Sequence, residues 1–298
     1  MAEAPAILAE ARRQVDLRLE ETANTLRRET PGPVGDALAY ALRSPGKRVR
    51  PALVLAAYRA VGGTHTGICG VATAIEIVHT YSLVHDDLPC MDDDPLRRGR
   101  PTTHVAFDVA TATRVGYLLV PVAAEVLARA MHEMGLDLDV QRAIAMELFE
   151  AGGIRGMVGG QWRDLEAEGA DLDLATLIRI HGEKTGALIT ASVVIGGIAA
   201  GATDRQMVAL RHFGREVGLA FQVADDVLDA TRTSDQLGKT AGKDAAVAKS
   251  TYVGLLGVEK AALAAQRHAA RAIDALEVAG LPLGPLAHLA RYIVDRTS

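Results

Sequence analysis

Apolar residues recur three and four positions apart through almost the whole sequence, and this spacing constrains the fold more than any other feature. Side chains at that spacing share one face of an α-helix, whereas a strand needs alternation at every second residue. No run alternates for long enough to indicate a sheet. The pattern therefore predicts an all-α protein.

Short segments rich in turn-forming residues interrupt the helical pattern and divide it into about ten helices or more. They are "TPGP" (30–33), "SPG" (44–46), "GGTHTG" (62–67), "LPCMDDDP" (88–95), "AEGADLD" (167–173), "TRTSDQLGKTAGKD" (231–244) and "GLPLGP" (280–285). None is a long linker, and 298 residues, 49% of them hydrophobic, are enough for one large core. We predict a single domain over residues 1–298.

Charge and cysteine content exclude several classes of protein. The net charge is -5 and no basic block could follow a phosphate backbone, so nucleic acid is not an expected partner. Cys69 and Cys90 are too few for a disulfide framework or a structural zinc site, and they fit a reducing compartment. The first thirty residues lack the apolar core of a signal peptide, which predicts a cytoplasmic protein.

The longest apolar runs are "VGYLLVPVAA" (115–124) and "VVIGGIAAGA" (193–202). Both are shorter than the roughly 18 residues that a membrane-spanning helix requires. We therefore interpret both runs as buried core helices and expect no membrane insertion.

A first cluster of carboxylates stands at the end of an apolar helix predicted over residues 71–87. Asp86 lies two helical turns beyond His79, so both side chains project from the same face. Pro89 cannot continue the helix, and the chain that loops outward over residues 88–91 can bring Asp92 back toward Asp86. Asp86, Asp87 and Asp92 are therefore expected to lie together.

A second cluster lies in "FQVADDVLD" (221–229). Its polar members form one stripe at positions i, i+3, i+4 and i+7 of an otherwise apolar helix: Gln222, Asp225, Asp226 and Asp229. Acidic runs are usually solvated helix surface. These two clusters, however, are attached to helices that must be buried, where an uncompensated carboxylate costs several kcal/mol. A cation must compensate them.

Mg²⁺ is the natural cation, because it takes one or two carboxylates and completes its octahedron with water and substrate phosphate oxygens. Neither cluster has the ligand spacing of an EF-hand, and paired Cys and His for zinc are lacking. Basic residues occur in the short motifs "GKRVRP" (46–51), "LRRGRP" (96–101), "EKTG" (183–186) and "LGKTAGKD" (237–244). Each alone is typical of solvated surface, but together they indicate a diphosphate site built from metal bridges and Lys or Arg clamps.

These motifs, in this order, resemble those of the trans-prenyltransferases, the head-to-tail isoprenyl diphosphate synthases that make farnesyl and geranylgeranyl diphosphate. The likeness runs through "PGKRVRP" (45–51), "EIVHTYSLVHDDLPCMDDDPLRRGRPTTH" (76–104), "GMVGGQWRDLEAE" (156–168), "HGEKTGALI" (181–189), "FQVADDVLDATRTSDQLGKTAGKDAAVAKSTYVGLLG" (221–257) and "YIVDRTS" (292–298). It implies the isoprenoid synthase fold, a single large bundle of helices around a central substrate cavity, and a homodimer.

The resemblance also implies the reaction. An allylic diphosphate ionises, the double bond of isopentenyl diphosphate attacks the carbocation, and loss of a proton leaves a product five carbons longer. Three Mg²⁺ ions, for which Mn²⁺ can substitute, would neutralise the departing diphosphate. Apolar helices would keep water from the carbocation.

The resemblance assigns roles to individual residues. The implied metal ligands, with Asp226 in support, are Asp86, Asp87, Asp92, Asp225 and Asp229. The implied clamps of the allylic diphosphate are Arg97, Lys184, Lys239 and Lys249. Thr185 and Gln222 match positions beside the developing cation. The implied site for isopentenyl diphosphate consists of Lys47, Arg50, His79 and Arg98.

Product length is implied by Tyr81 and Ser82, which lie five and four positions before Asp86. In bacterial farnesyl synthases an aromatic residue at the fifth position, together with the two extra residues between the Asp pair and the third Asp, stops elongation at C15. The main expected product is farnesyl diphosphate, with geranylgeranyl diphosphate as the alternative. Val109 and Tyr117 stand where the family commonly has acidic residues, which alters the opposite wall of the tunnel.

Several alternatives remain open at this stage. A class I terpene cyclase shares the first aspartate motif but would carry Asn or Ser and Glu in the second, and a non-catalytic partner subunit would usually lack one motif. A lone His79 is more often a core histidine than a ligand. A further set has a structural interpretation: close helix packing at Gly159 and Gly160, core positions at Met157 and Trp162, and cavity wall at Gln161 and Asp164.

Overall fold

The computed structural model describes residues 5–231 and 250–295, which form an almost entirely helical bundle. The first helices are α1 (Ala6–Glu29), α2 (Pro33–Leu42), α3 (Val49–Ala60), α4 (Ile68–Asp86), α5 (Thr103–Ala106), α6 (Val109–Glu133) and α7 (Leu138–Gly152). They are followed by α8 (Met157–Glu166), α9 (Leu174–His181), the π-helix (Gly182–Gly186), α10 (Ala187–Ala199), α11 (Asp204–Thr231), α12 (Tyr252–Leu256), α13 (Val258–Val278) and α14 (Gly284–Asp295). The predicted all-α class is confirmed.

Helix α4 is the central element of the bundle. It packs against α1, α3, α6 and α10, and residues on every side of it, such as Ala72, Ile75 and Ile77, are fully buried. Burial on all sides explains why its sequence is apolar throughout instead of amphipathic. The acidic end of α4 is thereby carried into the middle of the molecule.

Helices α10 and α11 pack closely on each other. Residues 193–197 of α10 are buried, as the sequence predicted for that apolar run. Gly218 of α11 faces Gly186 of the π-helix, where a Cβ atom on Gly218 would lie 2.7 Å from the Gly186 Cα. This close backbone approach holds the second acidic stripe beside the π-helix.

The expectation that residues 115–124 are a buried helix was wrong in part. By length and composition both α4 and α6 could span a membrane, but the most apolar window of α4 is 78% buried and that of α6 only 33%. Tyr117 is 67% exposed and Leu118 38% exposed, because only one side of α6 packs on α2 and α4. Helix α6 thus has one buried and one exposed apolar face.

Trp162 was also expected in the core, and it is 55% exposed. Helix α8 buries Met157, Gly159, Gly160 and Gln161 against the rest of the bundle, and Trp162 lies on the side that faces solvent. The expected burial of Met157 is confirmed.

One small hairpin follows α4. Strands β1 (Leu96–Arg97) and β2 (Arg100–Pro101) pair antiparallel through a turn in which Arg98 and Gly99 have φ values of 54° and 75°. Two positive φ values at the centre of a two-residue turn match the twist of the paired strands. The hairpin places Arg97 and Arg98 beside the end of α4.

Candidate active site

The first acidic cluster is closed by the loop after α4, as the sequence predicted. Asp86 is the last residue of the helix, and the backbone N–H of Asp92 donates to the carbonyl oxygen of Asp86 over 2.8 Å. The amides of Met91 and Asp93 both donate to the carbonyl of Leu88, which folds the loop tightly. Asp86, Asp87 and Asp92 therefore lie together at one end of the cavity.

The charges in this cluster repel each other. Burial raises the pKa of Asp86 to about 7, with Asp92 and Asp87 raising it further and Lys184 opposing them. Burial also raises the pKa of Asp87, against the hydrogen bond from Arg97. Carboxylates with raised pKa values favour a nearby cation, because added positive charge stabilises their ionised form.

Arg97 pairs with Asp87 in this structure. Its Nε donates to Asp87 Oδ1 over 2.6 Å, and its Nη2 lies 3.5 Å from Asp94 Oδ2. Asp87 is 3% exposed, so the pair is largely shielded from water. The predicted diphosphate clamp is therefore anchored to one of the predicted metal ligands.

The second acidic stripe lies on α11, where Asp225 and Asp229 are half-buried and Asp226 is buried. Asp226 accepts two protein hydrogen bonds, one from Gln222 Nε2 at 3.2 Å and one from the backbone N–H of Tyr252 at 2.9 Å. Its carboxylate thus holds the start of α12. The supporting role expected of Asp226 at the metal stays a prediction.

Lys184 and Thr185 lie on the π-helix, a rare element that often marks functional sites. Lys184 Nζ donates to Asp164 Oδ2 over 2.7 Å, and Thr185 Oγ1 donates to Gln222 Oε1 over 2.9 Å. The structure thus brings Thr185 and Gln222 together, and their expected place beside the developing cation stays a prediction. It also identifies Asp164, taken only as cavity wall from the sequence, as the partner of Lys184.

Gly160 fixes the position of the π-helix. A Cβ atom at Gly160 would lie 2.2 Å from the backbone N of Lys184, which real Cβ atoms do not approach. The close packing expected at Gly160 is confirmed, and it sets the position of the Lys184 backbone.

Two aromatic residues near the π-helix were not predicted from the sequence to belong to the site. His181 and Tyr252 stack with ring centroids 5.7 Å apart, and burial lowers the pKa of His181 to about 4, with Asp164 opposing and Lys184 assisting. Nearby, both amide atoms of the buried Gln161 lack a hydrogen-bond partner in the described part of the chain. In the sequence, the only indication was that His181 lies in "HGEKTGALI" (181–189) and Gln161 in "GMVGGQWRDLEAE" (156–168).

The basic residues predicted to bind isopentenyl diphosphate form a second group. Arg98 Nη1 donates to the carbonyl of Pro45 over 2.5 Å, which joins the hairpin to the loop that carries the exposed Lys47. Burial, Arg50 and Arg98 lower the pKa of His79 well below its usual value, so His79 is neutral. Arg50 lowers it because the two side chains are close.

Arg50 connects this group to the acidic stripe. Burial lowers the pKa of Arg50 to about 10, and the carboxylates of Glu76 and Asp225 oppose that change. Its buried Nε has no hydrogen-bond acceptor among residues 5–231 and 250–295. Arg50 is therefore close both to His79 of the basic group and to Asp225 of the second acidic cluster.

Tyr81 lies on α4 about one turn before Asp86 and is half-buried. Its ring contacts His85 edge-on at 5.5 Å, and His85 contacts Tyr117 of α6 at 6.0 Å. Ser82 is buried and its hydroxyl donates to the His79 carbonyl. His85 is the middle of this aromatic stack.

The arrangement of oxygen ligands fits a hard divalent cation. Among the residues that the structure describes, no three His, Cys, Asp or Glu side chains are arranged so that they could hold a metal ion by themselves. Mg²⁺ does not require such a cage, since it commonly takes one or two carboxylates and fills the remaining positions with water and phosphate oxygens. Lys239 and Lys249, the other two predicted clamps, lie outside the described residues.

Comparison with known proteins gives a consistent match. The family described as "Polyprenyl synthetase" matches residues 33–277. Among curated proteins, the large subunit 1 of the heterodimeric geranylgeranyl pyrophosphate synthase of Arabidopsis thaliana chloroplasts is 44% identical over 270 residues, which are 88% of this chain and 72% of that protein. The curated relatives are mostly named geranylgeranyl pyrophosphate synthases.

Solved structures agree with the fold. A geranyltransferase from Helicobacter pylori, described as complexed with magnesium and isoprenyl diphosphate, superposes with a TM-score of 0.83 at 33% identity, covering 99% of both chains. An apo FPP/GFPP synthase from Zymomonas mobilis gives a TM-score of 0.82 at 36% identity, over 96% of this chain and 97% of that one. Similarity of this extent covers every element that contributes to the site.

Proposed function

The chain belongs to the polyprenyl synthetase family and is a trans-prenyltransferase, and from this we propose that it condenses isopentenyl diphosphate with allylic diphosphates in a Mg²⁺-dependent reaction. The observation that carries the proposal is that basic side chains lie close to both acidic clusters. Lys184 is close enough to Asp86 to oppose the rise of its pKa, and Arg50 is close to Asp225. Such an arrangement can take one diphosphate through metal and another through basic side chains alone.

The residues that would hold Mg²⁺ are the carboxylates of the two clusters: Asp86, Asp87, Asp92, Asp225 and Asp229. When bound, the metal would neutralise the charge that grows on the departing diphosphate. Arg97 and Lys184 would add positive charge beside that group. The ion pair with Asp87 would hold the Arg97 guanidinium in place before the substrate binds.

The protein would also protect the carbocation. The oxygens of Thr185 and Gln222 would stabilise positive charge on the allylic carbon, and their mutual hydrogen bond fixes both side chains. Buried residues of α4 and α10 would exclude water, which would otherwise capture the cation. No side chain is proposed as the base, because the released diphosphate can accept the proton.

We propose farnesyl diphosphate as the main product. The support is Tyr81, an aromatic residue five positions before Asp86 that is half-buried and packs edge-on against His85. The second candidate is geranylgeranyl diphosphate, which the names of the curated relatives favour. The two candidates differ only in whether Tyr81 stops a chain of fifteen carbons.

The exposed face of α6 supports a homodimer. Val109, Tyr117 and Leu118 of α6, with Met146 and Phe149 of α7, leave apolar side chains at the surface. A second copy would cover such a surface, since contiguous apolar patches on a soluble chain usually mark an interface. The cytoplasmic location and the number of metal ions remain predictions.

The direct test is incubation of the purified protein with radiolabelled isopentenyl diphosphate and dimethylallyl, geranyl or farnesyl diphosphate, with Mg²⁺ or with chelator. Chromatography after phosphatase treatment should show alcohols lengthened by five carbons, only with metal. Hydrocarbons made from the allylic substrate alone would indicate a terpene cyclase. No turnover, with binding retained, would indicate a non-catalytic subunit.

A further inference from the structure

The loop between α2 and α3 depends on an arginine in an unusual conformation. Arg48 precedes α3 with φ 54° and ψ 40°, the left-handed region that a residue with a Cβ atom rarely adopts. Its side chain is 4% exposed, although arginine is almost never buried unless it is paired. Strong contacts must therefore hold both the backbone and the guanidinium.

Three acceptors surround the Arg48 guanidinium. Nε donates to Asp16 Oδ1 of α1 at 2.7 Å, Nη1 to Glu76 Oε1 of α4 at 2.8 Å, and Nη2 to the Ser44 carbonyl at 2.9 Å. The Asp16 side chain is 41% exposed, whereas that of Glu76 is only 3% exposed. Glu76 is thus the buried anchor of the loop.

The same loop lies between two guanidinium groups. A Cβ atom on Gly46 would lie 2.8 Å from Arg48 Nη1 and 2.6 Å from Arg98 Nη1. Arg98 is in turn fixed by its bond to the Pro45 carbonyl. Arg48 and Arg98 are therefore both packed against the loop that precedes Lys47.

The carboxylate of Glu76 interacts with three arginines: Arg48, Arg50 and Arg98. It bonds Arg48 directly, and its attraction opposes the lowering of the pKa of Arg50 and of Arg98 by burial. His79, one turn along the same helix, is neutral and cannot supply this negative charge. Without Glu76, these arginines would lose a carboxylate that acts on all of them, and Arg48 would keep only Asp16 and the Ser44 carbonyl as partners.

We propose that Glu76 is a positioning residue that acts through Arg48 to hold Arg50, Arg98 and the loop of Lys47 ready for the diphosphate of isopentenyl diphosphate. This inference rests on the proposed function and adds a residue to it. Glu76 does not touch the substrate. It prepares the basic group before an anion arrives.

The inference and simple electrostatics predict opposite changes in anion affinity when the charge of Glu76 is removed. Removing a negative charge beside an anion site should strengthen anion binding if charge alone mattered. Losing the anchor of Arg48 should weaken it, because the arginines no longer keep one arrangement. The direction of the change therefore separates the two explanations.

The experiment compares the parent with Glu76→Gln, which keeps the shape of the side chain and removes its charge. Calorimetric titration with isopentenyl diphosphate in the absence of metal reads binding apart from turnover. We expect the Kd to rise about tenfold or more, in the range expected for a lost charged hydrogen bond. The KM for isopentenyl diphosphate should rise similarly, while the allylic KM and kcat change less than about twofold.

Glu10→Gln is the matched control, because Glu10 pairs with Arg59 across α1 and α3 at 2.6 Å but lies away from the cavity. It should change none of these constants. The double variant Arg48→Met with Glu76→Met should lose no more affinity than Arg48→Met alone, because one residue acts through the other. If Glu76→Gln folds poorly, Arg48→Lys tests the same contact and should show the same selective loss.

Equal or tighter binding by Glu76→Gln would overturn the inference while leaving the prenyl transfer activity of the parent intact. An equal loss of both substrates, or additive effects in the double variant, would also overturn it. If the parent neither binds isopentenyl diphosphate nor transfers a prenyl group, the proposed function itself is wrong. Binding and turnover of the parent thus distinguish the two failures.

Discussion

Single residues in this cavity carry opposite charges within a few ångströms of one another. Asp86, whose pKa burial raises to about 7, lies near Asp92 and Lys184, and Arg97 is bonded to Asp87. Carboxylates held in this way cost stability in exchange for a strong field at the place where substrate charge develops. Replacing them should therefore affect rate far more than folding.

Asp86→Ala should lower kcat by about three orders of magnitude, because an interaction made in the transition state is lost. Far-ultraviolet circular dichroism should remain that of the parent. Asp139→Ala, an exposed acid on α7, is the control and should leave kcat unchanged. A parent-like rate in Asp86→Ala would contradict the assigned role.

His181 makes the folded protein sensitive to acid. Its pKa is lowered to about 4 by burial, against 6.5 for an ordinary histidine. Between these values the unfolded chain binds a proton that the folded chain excludes, so stability is present above pH 6.5 and is lost as pH falls toward 4. The loss should reach up to about 3 kcal/mol.

The measurement is the free energy of unfolding in urea at several pH values, for the parent and for His181→Phe. The phenyl ring can still stack on Tyr252 but cannot bind a proton. The difference between the two proteins should change with pH between 6.5 and 4 and be constant above pH 7. Parallel curves would show that His181 does not titrate in this range.

At the scale of elements, the site depends on how closely helices approach. The π-helix is packed between α8 and α11, where Gly160 faces the Lys184 backbone and Gly218 faces Gly186. Because the opposing atoms belong to the backbone, neither side can move aside without shifting a whole element. The position of Lys184 and Thr185 is therefore set by glycines that touch no substrate.

Gly160→Ala should destabilise the protein by about 2–4 kcal/mol and lower kcat, since the added Cβ would lie 2.2 Å from the Lys184 N. Gly182→Ala is the matched control in the same segment. Nothing lies within 4 Å of its added Cβ, so stability should change by less than about 1 kcal/mol. Urea denaturation and steady-state kinetics measure both, and equal behaviour of the two variants would rule out the packing argument.

Tyr81→Ala should shift products from C15 toward C20 or longer without a comparable loss of rate, because Tyr81 is the proposed stop for the growing chain. Tyr117→Ala should give a smaller shift, since Tyr117 is 67% exposed and contacts His85. Chromatography of the dephosphorylated products measures both. A parent that already makes mainly C20, or no lengthening in Tyr81→Ala, would show that Tyr81 is not the stop.

At the scale of the whole molecule, much of the fold and site was predictable from local patterns. The helix expected over 71–87 is Ile68–Asp86, and Asp92 returns to Asp86 as Pro89 indicated. The sequence could not reveal which faces lie at the surface, so the core assignment was wrong for Trp162 and wrong in part for residues 115–124. Surface or core depends on which elements pack together, and neither period nor hydropathy records that.

Long-range partners were equally hidden. Arg48 belongs to a quoted motif, but its role depends on Asp16 and Glu76, which are 32 and 28 residues away in sequence. The left-handed backbone of Arg48 could not be predicted either, because that conformation is normally adopted by glycine and not by arginine. Positioning contacts of this kind become visible only once the helices have been placed.

Assembly is the property of the whole molecule that α6 predicts. Leu118→Glu would place a charge on the exposed apolar face and should convert a dimer into monomers, because a buried unpaired charge is costly. Light scattering coupled to size-exclusion chromatography measures the mass. Val208→Glu, at a 72% exposed position on α11, should leave the mass unchanged. A monomeric parent would contradict the proposed dimer.

Helix α4 carries Glu76, Tyr81 and Asp86 at fixed axial intervals, about 15 Å from first to last at 1.5 Å per residue. Inserting or deleting one residue between them would rotate the distal part of the helix by about 100° and displace at least one of the three from its subsite. Descendants of this chain can therefore acquire new product lengths by exchanging side chains at fixed positions, but not by changing the length of the helix. The evolutionary freedom of the enzyme lies in side-chain volume.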